Sequence, residues 1–150
     1  MKIVVQRVKK ATCIVEGNRV GEIKNGLCLF VSFKVGDDAS IIPWMAKKIA
    51  NLRVFEDNNG KMNTSLLDKG YDVLSISQFT LEGKTNKGNR PSFSEALDPK
   101  TAHTLYETFN QALSDYGINV HTGVFKTHMD IELINDGPVT LLVERTTNHD

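Results

Sequence analysis

Apolar and polar positions along this chain fall into two rhythms, a two-residue alternation at both ends and a helical spacing in between. Lys2–Val8 and Ala11–Glu16 are rich in β-branched residues and predict two strands. Gly17-Asn18 predicts a turn, and Arg19–Ile23 a short returning strand. Asn25-Gly26 is a hairpin signal ahead of the apolar strand Leu27–Phe33. The first third therefore predicts a meander of antiparallel strands. Gly36-Asp37-Asp38 breaks that pattern. Ile41, Ile42, Met45, Ile49 and Leu52 then keep helical spacing, with Pro43 tolerable in the first turn. A short strand near Arg53–Phe55, a polar turn at Asp57-Asn58-Asn59-Gly60 and a buried strand at Tyr71–Ser77 follow. Glu82–Pro91 is a polar loop. Asp98-Pro99 starts a second helix, the Asp capping free N–H groups and the Pro losing none. Its stripe is Ala102, Leu105, Phe109, Ala112, Leu113 and Tyr116, and Gly117 ends it. Met129, Ile131 and Leu133 alternate with Asp130 and Glu132. Asn135-Asp136-Gly137-Pro138 predicts a tight turn, and Val139–Val143 a closing buried strand. The sum is an α+β domain, a mostly antiparallel sheet with two longer helices.

Composition narrows this little. The length, 150 residues, predicts one domain, residues 1–150, and 40% apolar with 24% charged residues is ordinary for a soluble globular protein. Eighteen basic and eighteen acidic side chains cancel, so contact with a polyanion has to come from a local patch. Two stretches qualify, Lys2 with Arg7, Lys9 and Lys10, and Lys84 with Lys87 and Arg90; the plain alternative for both is a solvated surface. Cys13 and Cys28 sit in apolar runs without metal or redox spacing and read as buried reduced thiols. Charges interrupt every apolar stretch near the N-terminus, and no run is long enough for a membrane span, so a cytoplasmic location without membrane contact is expected.

Several motifs fail on inspection. Gly83-Lys84-Thr85 resembles the end of a phosphate loop, but its leading position is Gln78. A calcium loop from Asp57 needs glycine where Met62 stands. His103, His121, His128 and His149 make no paired ligand spacing, so no metal is expected. Thr104 and Glu107 match a capping box but fall inside the second helix. Ser77 and Thr80 bracket Gln78-Phe79 at a strand end, a rigid place for chemistry. A hydroxyl nucleophile needs a base, however, and no histidine is near in sequence. The pair reads equally as strand-terminating hydroxyls bonded to backbone.

Three segments in order carry a resemblance. Ser77–Leu81 reads SQFTL, Lys87–Phe93 reads KGNRPSF and Asn135–Thr140 reads NDGPVT, behind an opening MKIVVQRV. Together they resemble the D-aminoacyl-tRNA deacylase family from Met1 to about Val143. Phe79 within SQFTL is similar to the bacterial and general eukaryotic form. The resemblance implies a barrel-like β-sheet domain with flanking helices, paired as a homodimer, acting on the aminoacylated 3′ end of tRNA without cofactor or metal. It implies a cis peptide at Gly137–Pro138, in a turn that enters the partner's active site. It implies that Ser77, Gln78, Phe79 and Thr80 form the catalytic strand end, with Phe79 under the terminal adenine, and that Phe125 and Met129 join Gly137 and Pro138 in substrate binding and chiral selection. Lys84, Lys87 and Arg90 are the expected tRNA contacts. One departure stands out. The family usually has Gly-Ala where this chain has Lys126-Thr127, and the extra cation either serves the RNA phosphates or points to water, the second being favoured slightly.

The expected reaction is hydrolysis of D-aminoacyl-tRNA, with glycyl-tRNA mischarged on tRNA(Ala) as a further substrate and L-aminoacyl-tRNA refused by the Gly-Pro turn. Backbone N–H groups around Gln78, Phe79 and Thr80 are candidates to hold the oxyanion. Either Thr80 attacks or the substrate's neighbouring ribose hydroxyl activates water; the missing base favours the second. The rival class is a non-catalytic RNA-binding domain, which small size, basic loops and no visible triad also suit.

Overall fold

A computed structural model describes residues 1–147; His149 lies outside them. Eight strands and three α-helices alternate along the chain. They are β1 Lys2–Val15, β2 Asn18–Ile23, β3 Gly26–Ser32, α1 Ile42–Asn51, β4 Phe55–Glu56, β5 Met62–Thr64, α2 Leu66–Lys69, β6 Asp72–Ser77, α3 Pro99–Asp115, β7 Val120–Thr122 and β8 Asp130–Glu144. The class is α+β.

The two expected opening strands are one. Lys9 and Lys10 interrupt the apolar pattern but not the pairing: they sit exposed where the β1–β8 register slips between Gln6 and Lys10. A bulge turns such residues outward without ending the strand. Nor do the first strands form a meander. β2 pairs with Ala11–Val15 of β1 and β3 with Lys2–Val8, while β8 runs along the strand as well. β2 and β3 thus succeed one another beside β1 and do not pair. The reversal after β1 uses Glu16 and Gly17, both at positive φ, one residue earlier than expected. Asn25-Gly26 is correspondingly no hairpin turn. Gly26 is needed for a different reason: a Cβ there would collide with the Asp72 carbonyl, so only glycine lets β6 come this close.

β6 pairs parallel with β3, and β7 parallel with β6, while β1 pairs antiparallel with β2, β3 and β8, so the sheet is mixed with its longest pairing antiparallel, as expected. Its order is β2-β1-β3-β6-β7, with β8 also on β1. Gly21 of β2 approaches the Thr122 carbonyl of β7, where a Cβ would lie 2.8 Å from the oxygen, so the sheet curls almost into a barrel. Both faces of its centre are buried. Leu27, Leu29, Val31 and Val73 pack against α1 and α3 through Met45, Ile49, Phe109 and Leu113. Cys28, Leu74 and Ile76 point the other way, into a second cluster with Val8, Ala11, Cys13 and Ile23. Continuous apolar runs in β3 and β6 follow from burial on both faces. Each fully buried aliphatic side chain contributes about 1.5–3 kcal/mol.

The helices obey the sequence signals. Pro43 lies in the first turn of α1, and Asp98 accepts from the Thr101 amide at 3.0 Å to cap α3, with Pro99 in its first turn. α2 was not anticipated. Its signal was present, since Ser65 and Asp68 form a reciprocal capping box and Gly70 ends the helix in the left-handed region. The closing strand differs most. Val139 is buried, but Leu141 is 40% and Leu142 56% exposed, because β8 pairs only with β1. Asn135–Pro138 lies within β8 rather than forming a separate turn, and the Gly137–Pro138 peptide is cis.

Candidate functional site

The parallel strands β3 and β6 end together, and the site begins there. The Gln78 amide makes the last rung, donating to the Val31 carbonyl at 2.7 Å. The chain then tightens into a 3₁₀ turn over Phe79–Glu82. Beneath the turn Glu82 is buried, accepting from Ser32 Oγ at 2.8 Å with Lys2 Nζ at 3.9 Å. Lys2 Nζ also donates to the Leu81 carbonyl at 3.3 Å. The turn is therefore held from below while Phe79 stands 58% exposed above it, its ring edge-on to Phe93 at 5.5 Å.

A cavity of about 630 Å³ opens over this strand end. Ser77, Gln78 and Phe79 line one side, and Phe125, Lys126, Thr127, His128 and Met129 another. Phe33, Phe93, Leu97 and Ala102 complete an apolar wall. The two loops that follow β3 and β6 hold each other, through Val35 N to Glu95 O at 2.9 Å and Leu97 N to Phe33 O at 3.1 Å. Phe125 is stacked on His103 of α3 with centroids 4.4 Å apart and lies 6.0 Å from Tyr106. Tyr106 donates its hydroxyl to the Ser75 carbonyl at 2.6 Å, and burial raises its pKa, so it stays a donor tying α3 to β6. Gly123 matters to the same wall: a Cβ there would sit 2.5 Å from Met129 Sδ.

The chain matches the family described as D-Tyr-tRNA(Tyr) deacylase over residues 4–144. It belongs to that family. A D-aminoacyl-tRNA deacylase of Halalkalibacterium halodurans is 54% identical over 144 residues, which cover 96% of this chain and 99% of the relative. One of Thermosipho africanus is 50% identical over 144 residues, 96% of this chain and 97% of the relative. Among solved structures, a c-Myc DNA unwinding element binding protein superposes with TM-score 0.91 at 37% identity, covering 98% of this chain and all of the other. A probable eukaryotic D-amino acid tRNA deacylase shares the fold, with TM-score 0.82 at 15% identity over 95% of this chain and 97% of the other.

In this deacylase-family chain, Ser77, Gln78, Phe79, Phe125 and Met129 share one cavity. Thr80 is exposed and outside its lining; Thr80 Oγ1 accepts from Gln78 Nε2 at 2.5 Å. Among the described residues no imidazole or carboxylate hydrogen-bonds that hydroxyl. The Gln78 amide is committed to Val31, which removes it from the oxyanion candidates and leaves the amides of Phe79 and Thr80 at the start of the 3₁₀ turn. Gly137 and Pro138 lie exposed on β8, away from this chain's own cavity. Arg7 braces them. It is only 5% exposed, donating to the Asp136 carbonyl at 3.1 Å and the Val54 carbonyl at 2.7 Å, and its Nε lies 3.3 Å from the Asp136 carboxylate. Arg7 is thus no part of a solvated basic surface. Turned to donate, the Asn135 amide also reaches the Arg7 and Val139 carbonyls at 3.2 and 3.3 Å.

Lys84 and Lys87 line a separate open groove of about 650 Å³, and Arg90 is exposed outside both. Lys84 is paired with Glu95 at 2.9 Å, and that hydrogen bond raises its pKa. Sequence reasoning missed Phe93 and Leu97 as cavity residues. Phe93 closes the KGNRPSF segment, and a large apolar residue ending a polar loop was its signal. Lys126 is exposed, in keeping with a side chain in water, and it also contributes to the cavity lining, at φ +62°. Among the described residues no three His, Cys, Asp or Glu side chains converge as for a metal ion, and no helix is long and apolar enough to cross a membrane.

Proposed function

We propose that this chain hydrolyses the ester of D-aminoacyl-tRNA to free D-amino acid and tRNA. The observation that carries the reading is the convergence of the SQFTL strand end and the Phe125–Met129 wall on one apolar cavity, in a chain of the deacylase family. Phe79, exposed at the floor, stacks on the terminal adenine, as single-stranded RNA ends are held by aromatic faces. The amides of Phe79 and Thr80 receive the developing oxyanion. Among the described residues no base bonds to Thr80, so the neighbouring ribose hydroxyl of the substrate activates the attacking water, and the protein's work is positioning, worth up to roughly 7–11 kcal/mol of barrier. Lys84, Lys87 and Arg90 contact phosphates further along the RNA.

Handedness is sorted by exclusion. The Gly137–Pro138 segment of a partner subunit forms a wall of main chain beside the substrate α-carbon. A D side chain points out of the pocket, while an L side chain meets the wall. Glycine has no side chain to collide, so glycyl-tRNA mischarged on tRNA(Ala) is also a substrate. Support for a two-fold pair comes from β8, whose 15 residues hydrogen-bond to β1 alone while Ile134 and Leu142 are each 56% exposed. Incubation with D-tyrosyl-tRNA and L-tyrosyl-tRNA tests the reading. Ester loss from the D form only is expected. Both esters protected or left untouched would instead favour the rival, a non-catalytic RNA binder.

A further inference from the structure

Lys126 stands where its backbone least favours a side chain. At φ +62° a Cβ crowds the following carbonyl, and glycine alone adopts the conformation freely. The position cannot relax easily. Thr127 Oγ1 donates to the Val124 carbonyl at 2.8 Å across the turn, and Phe125 is stacked on His103. The residue lines the cavity, yet among the described residues it makes no ion pair. The acid that shares the cavity lining, Asp98, and the acid four residues on, Asp130, are engaged elsewhere. Asp98 accepts from the Thr101 amide and hydroxyl, each at 3.0 Å, and Asp130 lies 3.2 Å from His128 Nε2. An exposed cation in a cavity lining, on a backbone that suits glycine better, is in place to meet an anionic ligand.

We propose that Lys126 recognises the phosphodiester that joins the aminoacylated adenosine to the rest of the RNA. The inference rests on the deacylase reading above. The substrate offers two charges, the ammonium of the amino acid and the phosphates of the backbone. An ammonium repels Lys126, so its partner is the phosphate, and the cavity holds adenosine with the phosphate toward Lys126 and the ester toward Phe79. The contact adds to those of Lys84, Lys87 and Arg90, since it fixes the last nucleotide rather than the strand beyond it.

The test compares D-tyrosyl-tRNA with 3′-O-(D-tyrosyl)adenosine, which lacks the phosphate, for wild type, Lys126→Met, Lys126→Arg and Lys126→Gly. Met and Gly should raise KM for the tRNA by about tenfold, the size expected for one charge-assisted hydrogen bond. The ratio of kcat/KM between the two substrates should fall by the same factor, and Arg should restore most of it. The slope of log KM against log salt should shrink by about 0.7, one phosphate contact on a single strand. Lys126→Gly should melt no lower than wild type, because it relieves the backbone. Equal losses on both substrates, or an unchanged ratio and slope in Met and Gly, would overturn the proposal. If wild type leaves D-tyrosyl-tRNA intact, the deacylase reading fails instead, and titration of the trinucleotide CCA into wild type and Lys126→Met still decides the phosphate contact.

Discussion

Thr80 lies next to the cavity with its hydroxyl accepting from Gln78, and among the described residues no imidazole or carboxylate bonds to it. Removing a true nucleophile or its base costs about 10²–10⁴-fold in rate. Thr80→Ala should lose less than about tenfold in single-turnover hydrolysis of D-tyrosyl-tRNA, the scale of one neutral hydrogen bond and slight misplacement. A loss of about 10³-fold with unchanged tRNA affinity would make Thr80 the nucleophile after all. The cysteines offer no alternative. Burial pushes the Cys28 thiol up to about 12 and raises Cys13 as well, so both remain neutral thiols inside the second cluster, as their apolar surroundings in the sequence suggested. Arg7 was the residue the sequence described least well. It was read as part of a basic patch, for a polyanion or for solvent, and it is buried instead. Its burial depends on Val54 and Asp136, far away in the chain, which periodicity does not report.

At the scale of elements, local signals were legible and long-range ones were not. Helical spacing, Asp98-Pro99 and Gly117 located α1 and α3 because those elements are specified by their own residues. Strand existence was equally visible. Partnering was not: β3 adds parallel to β6, a pairing that Gly26 permits by its close approach to Asp72, forty-six positions distant. The NDGPVT segment was readable as a motif, but the arginine that anchors it came from another strand. Arg7→Met should lower stability by about 3 kcal/mol, since it leaves the Val54 and Asp136 carbonyls and a partly buried carboxylate without their donor. The urea midpoint of the variant measures this. A loss below about 0.5 kcal/mol, typical of an exposed charge, would show that the anchor is dispensable.

For the whole molecule, the decisive question is whether one chain suffices. Gly137 and Pro138 do not line this chain's own cavity, so a wall built from them needs a second chain. Leu142→Lys puts a charge on the exposed side of β8, a substitution that blocks edge pairing. It should yield a folded monomer by sedimentation that hydrolyses L-tyrosyl-tRNA as well as the D form, since the wall that excludes the L side chain is gone. A monomer with full rate and full preference for D would exclude a shared wall.

The common end of β3 and β6 has a further consequence. Two parallel strands that finish side by side leave their outgoing loops as neighbours, and here those loops bond to each other above a floor fixed by sheet hydrogen bonds. Change can therefore accumulate in the rim while the floor keeps its geometry. If the deacylase reading holds, a lineage can retune which tRNA it docks while the amides that meet the ester stay where they are.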